Sequence, residues 1–251
     1  MSRKIAFVIS AGRTGTVFLT HVIEQHTGAF CVHEPRGSRS NLVLANFRNL
    51  VGPGTPVIRK RFRDRLQRRV DRLPEGTPYI EVNPMLCALT DVLAEQVSPL
   101  HVVHLTRHPV GWVRSMRAFK ASTKFRHVID YAPFANPYPV PRPAGWVSAS
   151  RVEKALWRWR YCNEQLLELA PRCDRYVHAR YEDLFHADDA VRLDTLQRIL
   201  DCVGIEVPPT QAWLAKEPRN PAPPVERVDV DPELVRSICG PLLDRWGYGQ
   251  G

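Results

Sequence analysis

The sequence predicts an α/β protein of three layers, in which a mostly parallel central sheet is flanked by helices. Two observations support this prediction. Short apolar runs rich in β-branched residues, typical of buried parallel strands, alternate with segments of helical pattern, most clearly at 5–24 and 100–116. The chain of 251 residues, with 44% hydrophobic and 24% charged residues, is also long enough to bury a core. We expect one domain over residues 1–251.

The first predicted strand and helix enclose a glycine loop at 12–16. A strand, a glycine loop and a helix build an anion site, because glycine lets the backbone approach the ligand and the helix N-terminus adds positive charge. Arg13 offers a bidentate partner for a tetrahedral oxyanion, while Thr14 and Thr16 offer hydroxyls. The loop lacks the lysine of a Walker A motif and carries only half of a dinucleotide-binding G-x-G-x-x-G.

The same alternation continues along the chain. Further strands are predicted at 29–32, 56–58, 79–83, 100–106 and 175–180, and helices at 42–50, 59–73, 85–96, 110–116, 191–203, 231–246 and over about two dozen residues from 148. In parallel sheets, ligands bind beyond the carboxyl ends of the strands. Arg13 and Arg107 both follow a strand, so both are expected at that edge.

Two segments interrupt the pattern. Residues 119–147 carry five prolines among aromatic residues, which is typical of a lid, a binding loop or a disordered excursion. Residues 218–224 form a proline-rich linker.

The net charge of +9 is concentrated in one segment, 59–72, which holds eight basic and two acidic side chains. An apolar stripe of Phe62, Leu66, Val70 and Leu73 indicates that this segment is a helix with one buried face. A basic balance suits a nucleotide with several phosphates, an acidic substrate or nucleic acid, and a solvated charged face is the simplest alternative.

The six cysteines show neither a C-x-x-C motif nor metal-ligand spacing, so we expect buried, reduced thiols and no metal. The apolar run after Arg3 and Lys4 is too short for a signal peptide. No segment approaches the ~20 apolar residues of a membrane span. These features predict a soluble, cytoplasmic protein, and they leave the oligomeric state open.

Four motifs in this order resemble the sulfotransferases that use 3′-phosphoadenosine-5′-phosphosulfate (PAPS). The loop at 12–16 is similar to that family's 5′-phosphosulfate loop, commonly P-R-S-G-T-T. The segment 105–109, followed by a helical serine, is similar to its 3′-phosphate motif, 180–184 to its Y-E-D-L motif, and 239–248 to its last helix and G-Y ending. The resemblance spans nearly the whole chain and implies the P-loop NTPase-like fold of a bacterial-type member.

The resemblance implies PAPS as the donor, 3′,5′-bisphosphoadenosine (PAP) as the product, and no metal. The donor-binding residues that it implies are Gly12, Arg13, Thr14, Gly15, Thr16, Val17, Arg107, Ser115 and Tyr181, and we also expect Lys216 and Arg219 to approach the 3′-phosphate. Because the transition state of sulfuryl transfer is loose, catalysis depends on positioning and preorganised positive charge, which gives Arg13 a catalytic role.

On the acceptor side, the resemblance places Glu34 and Arg36 where the tyrosylprotein branch carries its glutamate base and a nearby arginine. An attacking alcohol must lose a proton, so such a base is needed. His33 is a rival base, since cytosolic small-molecule members use histidine.

One departure from the family pattern concerns the strand at 79–83, where tyrosylprotein and cytosolic members carry a lysine that helps the bridging oxygen leave. Here Glu81 and Asn83 form an E-x-N pattern, so Glu81 is an alternative base, or both residues orient the acceptor. The acceptor is expected to be a hydroxyl, or an amine, of a small molecule, a glycan or a lipid. The aromatic residues of 119–147 favour an apolar acceptor, whereas the basic helix favours an acidic one.

Two rival functions remain open at this point. An ATP-dependent small-molecule kinase shares the topology, but it needs a lysine in the loop and a metal-binding aspartate, and neither is found. A non-enzymatic nucleic-acid-binding protein would use the basic helix 59–72.

Overall fold

The computed structural model describes residues 4–52, 54–117, 137–214 and 229–249. In these ranges the strands are β1 (Ile5–Ser10), β2 (Phe30–His33), β3 (Tyr79–Val82), β4 (His101–Thr106) and β5 (Arg175–Arg180). They form one sheet in the order β2-β3-β1-β4-β5, and all its pairings are parallel. This confirms the predicted parallel sheet and places β1 at its centre.

The described helices are α1 (Thr16–His26), α2 (Ser38–Val51), α3 (Thr55–Val70), α4 (Thr90–Gln96), α5 (Pro109–Arg117), α6 (Arg151–Leu169), α7 (Tyr181–Leu184), α8 (Asp189–Val203), α9 (Gln211–Leu214) and α10 (Pro232–Arg245). Two 3₁₀ turns, Pro84–Ala88 and Ala170–Arg172, accompany them. None of these helices is long and apolar enough to span a membrane.

Helices cover both faces of the sheet. Along β1, Ala6 and Val8 pack in a core with α1 and α8, while Phe7 and Ile9 pack in a second core with α2, α3, α4 and α6. This strict alternation of fully buried residues is expected of a central parallel strand. A third apolar cluster joins α5, α6 and α10. The predicted three-layer architecture is confirmed.

The strand predicted at 56–58 is wrong, because these residues begin α3. Pro56 lies in the first turn of this helix, where its fixed φ is favourable and its missing N–H costs nothing. Ile58 is then the first member of the buried stripe that continues through Phe62, Leu66 and Val70. The helix predicted at 85–96 is divided into a 3₁₀ turn and α4.

The prediction for 119–147 falls mostly outside the described residues, as do Lys216 and Arg219. In the described part, Tyr138 and Trp146 are buried and pack edge to face at 5.9 Å. All six cysteines are free and five are buried, as predicted.

Candidate active site

The glycine loop after β1 has a backbone that few residues adopt. Gly12, Arg13 and Gly15 have φ angles of 85°, 55° and 83°. The left-handed conformation is unfavourable for a residue with a side chain, so Arg13 is strained, and such strain is concentrated at functional sites. The loop is held from both sides, because the Gly12 N–H donates to Ser10 Oγ at 3.0 Å and Trp112 Nε1 donates to the Gly12 carbonyl at 2.7 Å.

Thr14 lies at the centre of this loop and is fully buried. Its hydroxyl has no hydrogen-bond partner among the described residues. A buried hydroxyl without a partner destabilises the ligand-free protein, so its presence points to a ligand that bonds it. The Thr16 hydroxyl, by contrast, is joined to His33 Nε2 at 3.1 Å.

Two arginines meet beside the loop. Arg13 Nε donates to Ser115 Oγ at 3.0 Å, and Arg107 Nη1 donates to the Arg13 carbonyl at 3.2 Å. Burial, and then repulsion by the Arg107 guanidinium, lowers the pKa of Arg13 from its ordinary value, although the group stays charged. The site therefore gathers two like charges, an arrangement that an anion stabilises.

Arg107 is fixed by two aromatic residues. Its guanidinium lies 4.0 Å from the centroid of the Tyr181 ring, and its carbonyl accepts from Trp159 Nε1 at 2.9 Å. A guanidinium held on an aromatic face keeps its edge N–H groups available to a ligand.

The short helix α7 closes this side of the site. A Cβ at Gly15 would lie 2.8 Å from Phe185 Cε2 and 3.6 Å from Tyr181 Cδ2, so only glycine lets the loop and α7 approach so closely. Glu182 accepts from the His108 N–H and from Tyr248 Oη, both at 2.9 Å. The Y-E-D-L segment thereby joins the end of β4 to the last described residues.

Glu34 and His33 lie at the carboxyl end of β2. Glu34 has a left-handed backbone, with φ of 44°, and its N–H donates to the Val82 carbonyl at 3.0 Å. Within the part of the chain that the structure describes, the Glu34 carboxylate has no hydrogen bond and no ion pair with Arg36. Burial lowers the pKa of His33, an effect that the nearby Glu34 opposes.

Glu81 lies in β3 and Asn83 directly follows this strand, and both are almost fully buried. Glu81 accepts from Tyr79 Oη at 2.7 Å, from Asn83 Nδ2 at 2.7 Å and from Arg69 Nη1 at 3.1 Å. Asn83 Nδ2 also donates to Ser38 Oγ at 2.9 Å, and Asn83 Oδ1 accepts from the Met85 N–H. The polar groups of both side chains are therefore engaged within the protein.

Four contributors to this geometry were not predicted: Trp112, Trp159, Arg69 and Glu182. A buried tryptophan needs a hydrogen-bond acceptor for its N–H, so the sequence could indicate that both indoles are bonded. It could not indicate which carbonyl accepts each bond. Val17, predicted to bind the donor, lies in the first turn of α1 and is 37% exposed. Over the described ranges, no group of three His, Cys, Asp or Glu side chains is placed to hold a metal.

Solved structures of sulfotransferases are similar to this chain in fold. A sulfotransferase from Alicyclobacillus acidocaldarius aligns with a TM-score of 0.55 and 14% identity, over 99% of this chain and 95% of that one. A sulfotransferase from Mycobacterium avium aligns with a TM-score of 0.54 and 14% identity, over 97% of this chain and 76% of that one. The sulfotransferase domain of the Synechococcus PCC 7002 olefin synthase aligns with a TM-score of 0.50 and 18% identity, over 92% of this chain and 86% of that one. No family model and no curated protein sequence matches the chain.

These alignments extend over nearly all of the chain and include the sheet whose strand ends carry the site. Because the sequence identities are below one fifth, these alignments show a similarity of fold alone. The five parallel strands, the helices on both faces and the glycine loop after β1 give this chain the P-loop-like fold of the sulfotransferases.

Proposed function

We propose that this chain is a PAPS-dependent sulfotransferase of the EC 2.8.2 type, which moves a sulfuryl group from PAPS to a hydroxyl or amine. The observation that carries the proposal is that the Arg13 and Arg107 guanidiniums lie close enough to repel each other at a glycine loop that also holds the buried, unpartnered hydroxyl of Thr14. Charged donors and a free hydroxyl at a glycine loop suit a ligand with separate phosphate and phosphosulfate groups.

On the donor side, residues 12–17 hold the 5′-phosphosulfate through loop amides and hydroxyls. Arg107 and Ser115 hold the 3′-phosphate, and Tyr181 lies beside the nucleotide. Ser115 bonds Arg13 in the ligand-free chain, so one hydroxyl links the two anion-binding positions. Lys216 and Arg219 remain proposed contacts to the 3′-phosphate.

When bound, PAPS supplies an electrophilic sulfuryl group. The Glu34 carboxylate takes the proton of the acceptor hydroxyl as the acceptor oxygen bonds to sulfur and the bond from sulfur to the bridging oxygen breaks. Arg13 and the loop amides stabilise the negative charge that develops on PAP. His33, held against Thr16, is the second candidate for the base.

The contacts of Glu81 favour a positioning role over proton transfer or direct acceptor contact. Its carboxylate is shared among Tyr79, Asn83 and Arg69, and Asn83 and Arg69 reach on to Ser38 and to the Arg36 carbonyl. Glu81 and Asn83 thus hold the segment after Glu34 in place. Arg36, exposed at the rim, is the proposed contact to the acceptor.

Neither rival function is favoured. The glycine loop has no lysine of the kind that a P-loop kinase uses, and the fold agrees with sulfotransferases. The basic side chains of α3 are divided between residues 36–41 on one side and the carboxylates of Glu95 and Asp64 on the other, so they do not form one continuous basic surface for a polynucleotide.

Calorimetry with PAP and with ATP–Mg tests the donor site. We expect PAP to bind and ATP–Mg not to bind. Arg13→Ala and Arg107→Ala should each weaken PAP binding about ten- to a hundredfold, the effect of removing a charged hydrogen-bond donor. Unchanged PAP affinity in both variants would contradict the proposal.

Turnover of labelled PAPS with a metabolite extract tests the base. Glu34→Gln should keep PAP affinity and lose about a hundredfold or more in rate, as removal of a general base does. Full turnover in this variant would move the base to His33 or Glu81, which His33→Ala and Glu81→Gln then separate.

A further inference from the structure

The arginines of α3 are divided between two faces. Arg61, Arg65 and Arg69 follow one another at intervals of four residues, so they share one face of the helix. Arg61 and Arg65 donate to Ser40 Oγ at 3.1 and 3.0 Å, and Arg69 donates to the Arg36 carbonyl at 2.8 Å. Arg65 also donates to Gly37 O and Asn41 Oδ1, both at 2.8 Å. This inner face lies against residues 36–41.

The two faces differ in how their charge is balanced. On the outer face, Arg59 pairs with Glu95, and Lys60 pairs with Asp64 at 2.6 Å. On the inner face, among the described residues, Arg61 and Arg65 bond only neutral oxygens, and the buried Arg61 Nε has no partner.

Further charge of the same sign surrounds the inner face. Burial, and then repulsion from Arg61, Arg69 and Arg68, lowers the pKa of Arg65. Arg36 and Arg39, both exposed, belong to the segment that the inner face contacts. Among the described residues, Glu81 is the one carboxylate that bonds an arginine of the inner face, and that arginine is Arg69. The inner face therefore carries an excess of positive charge.

This excess lies close to the proposed base. Residues 36–41 begin two positions after Glu34, and three residues of extended chain span at most about 11 Å. The Cα atoms of Glu34 and of Gly37, whose carbonyl Arg65 bonds, are therefore within that distance of each other. This separation is comparable to the length of a small acceptor.

We propose that the acceptor is a small alcohol or amine that also carries an anionic group, either a carboxylate, a phosphate or a sulfate. The inner face of α3 binds the anionic group while the nucleophile points to Glu34. This inference rests on the proposed sulfotransferase function. Its physical basis is that guanidiniums bind oxyanions through charge-assisted, often bidentate hydrogen bonds, and that like charges held together favour an anion between them.

The test compares Arg61→Gln, on the inner face, and Arg68→Gln, which removes an exposed charge that acts on Arg65, with Arg63→Gln. All three remove one positive charge from α3, but Arg63 lies on the outer face beside Asp64. Arg65 is left unchanged, because its loss would also release residues 37–41. PAP affinity, measured first, should be the same in all variants, so a loss of PAP binding by the parent chain would count against the sulfotransferase function instead.

The first readout is the product formed from labelled PAPS and a small-molecule extract. We expect a labelled product with at least two negative charges on anion exchange, one of them from the new sulfate. Its rate at low extract concentration should fall about tenfold in Arg61→Gln and Arg68→Gln and stay unchanged in Arg63→Gln. A singly charged product, or equal rates in the three variants, would overturn the inference.

The second readout needs no turnover. PAP-saturated protein is titrated with two matched pairs, 4-hydroxyphenylacetate against its neutral amide and glucuronate against glucuronamide. At least one acid should bind about tenfold more tightly than its amide, and Arg61→Gln and Arg68→Gln should remove the difference. Acids that bind no better than their amides, including no binding of either, would overturn the inference when PAP itself binds.

Discussion

At the scale of single residues, the buried hydroxyl of Thr14 makes a prediction that separates stability from binding. Thr14→Val keeps the shape of the side chain and removes an oxygen that has no partner within the described structure. The free energy of unfolding of the ligand-free chain should stay the same or rise by about 1 kcal/mol, whereas PAP affinity should fall about fivefold. Denaturant titration and calorimetry measure the two effects.

Thr16→Val is the matched control for the stability measurement. The Thr16 hydroxyl is already joined to His33 Nε2, so its removal should lower the free energy of unfolding rather than raise it. If Thr14→Val leaves PAP affinity unchanged, the hydroxyl does not face the donor.

The sequence predicted the positions of single residues in the fold better than it predicted which residues they contact. Arg13 and Arg107 could be placed at one edge because each follows a strand of a parallel sheet. The bond from Arg13 to Ser115 joins residues 102 positions apart, and it depends on how α5 packs, which no local pattern contains. The same holds for Arg69, whose partner Glu81 belongs to another element.

At the scale of elements, the contact between the glycine loop and α7 makes a second prediction. Gly15→Ala forces a side chain into a left-handed conformation and drives its Cβ into Phe185, which follows α7. We expect this variant to lose more than about 1 kcal/mol of unfolding free energy and to bind PAP more weakly, because α7 carries Tyr181.

Gly28→Ala provides the control for backbone strain alone. Gly28 also has a positive φ, of 65°, but a Cβ there meets nothing within 4 Å. It should lose only about 1 kcal/mol and keep its PAP affinity. Equal effects of both variants on binding would show that the approach of α7 is not needed.

Elements with a long periodic pattern were predicted well, as were the short strands at 29–32 and 79–83, but the short strand at 56–58 was not. The buried stripe of α3 identified that helix, but Pro56 and Ile58 were assigned to a strand because two apolar residues after a proline carry no period. The continuous helical pattern over 85–96 also concealed the break at Leu89, where the 3₁₀ turn ends and α4 begins.

At the scale of the whole molecule, a buried polar network joins β4, β5 and the end of the chain. Because Asn163 Nδ2 donates to the Trp159 carbonyl, Asn163 Oδ1 accepts from His104 Nε2, and His104 Nδ1 lies 2.7 Å from Tyr176 Oη. His178 bonds Thr106 Oγ1 and stacks on Trp246. Burial lowers the pKa of His104 to about 3 and, with repulsion from Arg180 and Arg198, that of His178 to about 4.

This network predicts acid sensitivity. In the unfolded chain both histidines titrate near pH 6.5, so between about pH 6.5 and about pH 4 the unfolded state binds more protons than the folded state. Stability is therefore complete above pH 6.5 and is lost as the pH falls toward 4. Urea midpoints measured across this range should show the loss, and His178→Asn should reduce it. If the urea midpoint of His178→Asn falls with pH as much as that of the parent chain, His178 is not a source of the acid sensitivity.

The strand order has one more consequence. The proposed grip on the nucleotide comes from β1, β4 and β5, whereas Glu34 and the inner face of α3 belong to the half of the sheet made by β2 and β3. In this proposal, the donor and the acceptor are bound by opposite halves of one sheet. We therefore expect that exchanging residues 34–72 between proteins of this fold would change the acceptor and leave the donor unchanged.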